Sequence, residues 1–138
     1  MFHQCLYFNT TALARQLERE WTTAFAPFAL TPPQALLLRT ILDRPGLLQR
    51  ELAEAMAISR PTATRALDGL AAKELVERRS TERDGREQSV HPTPLATALH
   101  GDLNRASGRV TRRLKRLLGE GVFEETVRKI RGVRSALA

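Results

Sequence analysis

Hydrophobic positions recur along most of this chain at spacings of three and four, the period of helices that bury one face. Leu13, Leu17, Trp21 and Phe25 step by four and predict a first helix from about Asn9, capped by Thr10 or Thr11 and closed at Pro27. Thr31-Pro32 has a capping hydroxyl followed by a proline in the first helical position, and it starts a short helix through Leu36, Leu37, Ile41 and Leu42. "DRPG" ends that element. A third helix spans Leu48 to Met56, and the tight turn "AIS" leads into a fourth that opens "SRPTATRALDGL". The period then changes. Leu75 to Arg79 and Gln88 to His91 read as short extended pieces, and "ERDGRE" between them carries the Asp-Gly signal of a hairpin turn. Thr93-Pro94 repeats the cap-plus-proline start of a long helix through Leu95, Leu99, Leu103, Ala106, Val110, Leu114 and Leu117. "GEG" breaks it before a last helix built on Val122, Phe123, Val127, Ile130, Val133 and Leu137.

This order predicts a mainly α fold with a small β-wing: a single domain in which a winged helix-turn-helix, residues 31–93, sits between terminal helices, residues 1–30 and 94–138. The terminal stripes are too extensive for so short a chain to cover alone, which predicts a homodimer. On a wheel of about 100° per residue, Ala63, Ala66, Leu67, Leu70 and Ala71 form the buried side of the fourth helix. The small residues Ala53, Ala63 and Ala66 allow a close crossing of the third and fourth helices. The other side offers Pro61, Thr62, Thr64 and Arg65 near its start, with Ser59 as cap and Arg60 beside it. Arginine can fork onto guanine and threonine methyls can touch thymine methyls, so this face suits a recognition helix in a major groove.

Charge supports a polyanionic partner without locating it. The net formal charge is +7, but residues 92–138 hold 10 basic and 4 acidic side chains, while residues 59–91 hold 7 and 6. The basic run at Arg109, Arg112, Arg113, Lys115 and Arg116 reads either as a solvated outer face or as an auxiliary phosphate contact. In the hairpin, Arg83 and Arg86 stand at the tip beside Glu82 and Asp84, and arginine on a narrow tip suits a minor groove.

The run "LAEAMAISRPTATRALDGLAAKELVERRSTERDGREQSVHPT" resembles the winged helix-turn-helix of the MarR family of bacterial transcriptional regulators. The resemblance rests on the "S-x-P-T-x-T-R" helix start, "L-V-E-R" and the "D-G-R" wing, and extends over nearly the whole chain. It implies a homodimer with intertwined terminal helices, each wing bracketing half of a pseudo-palindrome in double-stranded DNA. It assigns Ser59, Arg60, Pro61, Thr62, Thr64 and Arg65 to the major groove, and Arg86 to the wing arginine with Asp84 as its orienting partner. The chain departs from the family at His91-Pro92, where a leucine is more usual, which puts the length of the second strand in question.

Two inputs are open. Cys5, in "QCLYF", is similar in position to the oxidised cysteine of the hydroperoxide-sensing branch of the family, but a small apolar residue at the dimer interface fits it as well. The family resemblance also implies a small aromatic ligand between the DNA-binding lobe and the terminal helices, with Trp21, Phe25, Phe28 and His100 as candidate lining or as ordinary core. His3, His91 and His100 lack metal-ligand spacing, no cofactor motif occurs, and no paired carboxylates or nucleophile–base set marks an enzyme. A single cysteine, no apolar run near the ~18 residues of a membrane span and no signal-peptide pattern predict a cytoplasmic protein. The expected function is a homodimeric, sequence-specific repressor released by a small-molecule or oxidative signal. The competing reading is a winged helix used only as a protein–protein or dimerisation module.

Overall fold

A computed structural model describes residues 1–81 and 86–138. Its elements run α1 (Leu6–Phe25), a 3-10 turn (Ala26–Phe28), α2 (Pro32–Asp43), α3 (Gln49–Ala55), α4 (Arg60–Ala72), β1 (Val76–Ser80), β2 (Gln88–Pro92), α5 (Pro94–Leu118) and α6 (Glu120–Leu137). The three hydroxyl caps read from sequence hold. Thr31, Ser59 and Thr93 sit in extended backbone, and each accepts the amide of the residue three positions on, with proline in the first turn each time. The cap of α1 corrects the expectation at Thr10 or Thr11. The helix begins at Leu6, because the Cys5 sulfur accepts the Phe8 amide at 3.4 Å while the Asn9 carboxamide donates to the carbonyls of His3 and Cys5. Thr11 is already inside the helix, its hydroxyl donating to the Tyr7 carbonyl. The third helix is likewise shorter than Leu48 to Met56. Leu48 and Met56 are its caps, and the Glu51 carboxylate accepts the Leu48 amide at 3.0 Å.

The ends of the 3-10 turn, α3 and α4 share one device. Ala29, Ala57 and Glu74 adopt left-handed backbone, with φ of 55°, 54° and 60°. At the latter two the chain closes as a Schellman motif, Ile58 N–H donating to the Ala53 carbonyl and Leu75 N–H to the Leu70 carbonyl.

α2 is the central element and packs against α1, α4, α5 and β2. Leu37, Leu38, Ile41, Leu52, Leu67, Leu70, Val90 and Leu103 are fully buried around it, with Phe25 closing the α1 side. Truncating one of these leucines to alanine typically costs about 2–5 kcal/mol. The wing is an antiparallel pair with Val76 opposite Pro92 and Ser80 opposite Gln88, so β2 runs one residue past His91. A further segment joins it that the sequence pattern did not reveal: Val90 N–H donates to the Leu47 carbonyl, Gly46 N–H donates to the Val90 carbonyl, and Leu48 bridges Ser89. Gly46, at φ 92°, makes the turn that brings this segment alongside.

The first and last helices bury little of their surface. α1 buries Phe25 alone, and no residue of α6 is buried, although Val122, Val127, Ile130, Val133 and Leu137 line it and are exposed. No helix among the described residues is long and apolar enough to cross a membrane.

Candidate nucleic-acid interface

α4 shows the face its sequence predicts. Ala63, Leu67 and Leu70 are buried against the core, whereas Arg60, Pro61, Thr64, Arg65 and Asp68 are exposed and Thr62 is half-buried. Its first turn is a chain of hydroxyl contacts. Ser59 Oγ accepts the Thr62 amide at 3.3 Å and donates to Thr62 Oγ1 at 2.9 Å, and Thr62 Oγ1 also accepts from Arg65 Nη2 at 3.3 Å. Arg65 thus lies back along the helix on one long contact, and its other donors remain for a ligand.

The neighbouring elements fix this helix through polar contacts. From α3, Gln49 Nε2 donates to Thr64 Oγ1 at 3.1 Å. From β1, Arg78 Nη2 donates to Asp68 Oδ1 at 2.7 Å and to the Thr64 carbonyl at 3.3 Å. At the base of the wing Arg50 Nε donates to Glu87 Oε1 at 3.1 Å, and that hydrogen bond and charge raise the pKa of the Arg50 guanidinium further above its ordinary value. Between α3, α4 and the wing lies an open groove of about 350 Å3, into which Gln49, Arg60, Thr64, Arg86 and Gln88 face. The structure therefore brings Arg60 and Thr64 of the helix to one groove with Arg86 of the wing. Arg83 and Asp84, and with them the Asp84–Arg86 pairing, lie outside the described residues.

A second, more apolar groove of about 620 Å3 opens between α1, α2, the α3–α4 turn and α5, lined by Leu17, Trp21, Leu36, Met56 and Ile58. One polar cluster marks its edge. Ser107 Oγ accepts from Trp21 Nε1 at 3.2 Å and from Arg39 Nη1 at 3.0 Å, and Arg39 Nε donates to Asn104 Oδ1. Of the four side chains considered for a ligand pocket, Trp21 reaches this groove. Phe25 is fully buried core, Phe28 packs against that core, and His100 Nε2 pairs with Asp43 at 3.1 Å. Cys5 is a half-buried free thiol at the start of α1, and its neighbour Tyr7 is exposed. On the basic run, Arg113 pairs with Glu20 at 2.6 Å and Lys115 lies near Glu120 and over the Phe123 ring. Among the described residues no group of three or more His, Cys, Asp or Glu side chains could hold a metal ion.

A model of the MarR family matches residues 30–87, the span of the helix-turn-helix and most of the wing. Over 137 residues the chain is 27% identical to the HTH-type transcriptional regulator MgrA of Staphylococcus aureus, covering 90% of this chain and 93% of that one. Over the helix-turn-helix and most of the wing the chain is therefore similar to the MarR family, and the MgrA likeness extends over most of its length. Solved structures agree at the level of the fold. The S. aureus MepR–DNA complex superposes with a TM-score of 0.86 at 20% identity over 95% of this chain and 96% of that one. The transcriptional repressor CouR, bound to a 23-mer DNA duplex, gives 0.83 at 25% identity over 95% and 93%. The chain thus has the winged-helix fold of these transcriptional regulators.

The sequence alone predicts the exposed face of α4 and misses what holds it. Arg78 follows Val76 by two on β1, so alternation puts it on the side of the buried valine and toward α4. That signal was present in "VERRS" but needed the strand's partner to be known. Gln49 carried no signal, since its role depends on a helix fifteen residues away.

Proposed function

We propose that the protein is a homodimeric repressor that reads a pseudo-palindromic operator, with α4 in the major groove and the wing over the adjacent minor groove. The convergence of Arg60, Thr64 and Arg86 on one groove, with Arg65 beside it, is the observation that carries this reading. Ser59, Pro61 and Thr62 shape the first turn and approach the backbone, while Arg83 and Asp84 belong to the wing tip in the same reading. The exposed apolar stripe of α6 supports a second copy as its cover, making residues 1–30 and 94–138 the dimerisation part and residues 31–93 the DNA-binding lobe. MepR and CouR, both solved on DNA, support the choice of partner.

The inducing signal in this reading is a small aromatic compound in the groove beside Trp21. That groove touches α1 and α5 on one side and the α3–α4 turn on the other, so a ligand there bears on the angle between lobe and terminal helices. An oxidative input through Cys5 is the second route, because oxidation of the sulfur would remove the cap of α1.

Binding selection on random duplex DNA, followed by footprinting and sedimentation, tests the whole proposal. The expected result is a dimer at micromolar concentration on two half-sites about one helical turn apart. A monomer with no selected sequence would refute it in favour of an interaction module.

A further inference from the structure

Thr64 is tied to three elements at once. Its hydroxyl donates to the Arg60 carbonyl of its own helix at 3.0 Å and accepts Gln49 Nε2 from α3 at 3.1 Å. Its carbonyl accepts Arg78 Nη2 from β1 at 3.3 Å. A threonine hydroxyl has one proton to give, and here the backbone takes it. A helical threonine divides between two rotamers, because its hydroxyl can bond a carbonyl of the preceding turn in either. The amide of Gln49 favours the one in which Oγ1 lies between α3 and α4. The exposed Thr64 then has no hydroxyl proton to give a passing duplex, and its γ-methyl is the group it offers.

We propose that Gln49, from outside the recognition helix, fixes the rotamer of Thr64 so that its methyl selects a thymine in each half-site. The inference rests on the DNA-reading proposal above and adds to it the chemistry of one contact and the residue that sets it. Thymine differs from the other bases in the major groove by its C5 methyl, and a threonine methyl is an apolar partner for it. Gln49 is a positioning residue in this scheme. The thymine specificity belongs to Thr64.

Valine separates the two roles, since it keeps the methyl and is confined to one helical rotamer by its own branching. On the selected operator, each thymine of a half-site is replaced in turn by deoxyuridine, which lacks only the C5 methyl. The parent protein should lose about fourfold in affinity at one of these positions, the equivalent of one buried methyl group. Thr64→Val should keep that sensitivity, Gln49→Leu should reduce it toward none, and the double variant should regain it. Restoration by valine also shows that Gln49→Leu is folded. Loss of the deoxyuridine effect in Thr64→Val, or its full retention in Gln49→Leu, would overturn the inference while leaving DNA binding intact. A parent protein that selects no duplex would overturn the DNA reading itself, and this inference with it.

Discussion

The ion pair between Arg78 on β1 and Asp68 on α4 should respond unequally to loss of its two members. The Arg78 side chain is 21% exposed and that of Asp68 is 60% exposed, so one partner is held in the protein and the other stands in water. Arg78 Nε is buried with no hydrogen-bond partner among the described residues, which already makes the guanidinium a costly group to enclose. Asp68→Ala leaves that guanidinium with only its long contact to the Thr64 carbonyl. The expected cost is about 1–2 kcal/mol, the lower part of the range for an unpaired buried charge because a fifth of the side chain still reaches solvent. Arg78→Met keeps the apolar stem and removes both the charge and the orphaned Nε. The carboxylate it strands is solvated, so the cost should stay below about 1 kcal/mol, and Asp68→Ala should add little on top of it. Urea denaturation followed by circular dichroism, at one fixed protomer concentration so that dimerisation contributes equally, measures all four states. Arg78→Met costing as much as Asp68→Ala would refute the reasoning, because the pair would then stabilise the fold by itself. DNA affinity should separate from stability here: Arg78→Met is expected to weaken operator binding by loosening the wing against α4, although it barely unfolds the protein.

Arg65→Ala should cost about 1–3 kcal/mol on the selected operator and far less on random duplex, measured by titration at one salt concentration; equal losses would make Arg65 a phosphate contact. Ala57→Gly should stabilise the protein by about 0.5–1 kcal/mol in a thermal melt, since it relieves left-handed backbone at the helix-turn-helix corner, less the extra freedom glycine gains when unfolded. A lower melting temperature would mean that the Ala57 methyl packs against something that matters more. Cys5→Ser should keep the α1 cap and retain DNA after organic peroxide treatment while the parent releases it. Identical behaviour of the two proteins would make the thiol purely structural.

Local chemistry was legible in the sequence and contacts between distant elements were not. Thr31, Ser59 and Thr93 announce helix starts because a hydroxyl and a first-turn proline act within four residues. The start of α1 escaped because its cap is a thiol and its support comes from the Asn9 carboxamide reaching back to three carbonyls, a pattern with no common sequence signal. Leu48 reads as the first residue of a helix. The segment that ends there instead pairs with β2, and only the distant residues Ser89 and Val90 decide that. The length of β2 followed a similar logic: Pro92 cannot donate to a ladder, but at the last position of a two-stranded wing the ladder does not need its N–H. The candidate site divides in the same way. The exposed face of α4 is a matter of helical period, whereas Gln49–Thr64 and Arg78–Asp68 require three elements to meet.

The ion pairs also explain how a lobe of nearly balanced charge can present a positive surface. Residues 59–91 carry 7 basic and 6 acidic side chains, which by simple counting should attract a polyanion hardly at all. Three of the acids are occupied. Asp68 is held by Arg78, Glu87 by Arg50 and Glu77 by Arg79, all within 3.3 Å. Each pair is nearly neutral beyond its own length in salt solution, where screening falls within about 10 Å. Arg60 and Arg65, at the start of α4, form no ion pair among the described residues, and Arg60 shares its groove with Arg86. Asp68 thus fastens α4 to the wing and Glu87 fastens the wing to α3, while Arg60 and Arg65 stand at the edge that would meet phosphate. Net charge per segment misses this because it sums groups that cancel locally with groups that do not. Arg50, Arg78 and Arg79 each have an acid within reach, whereas Arg60 and Arg65 have none among the described residues.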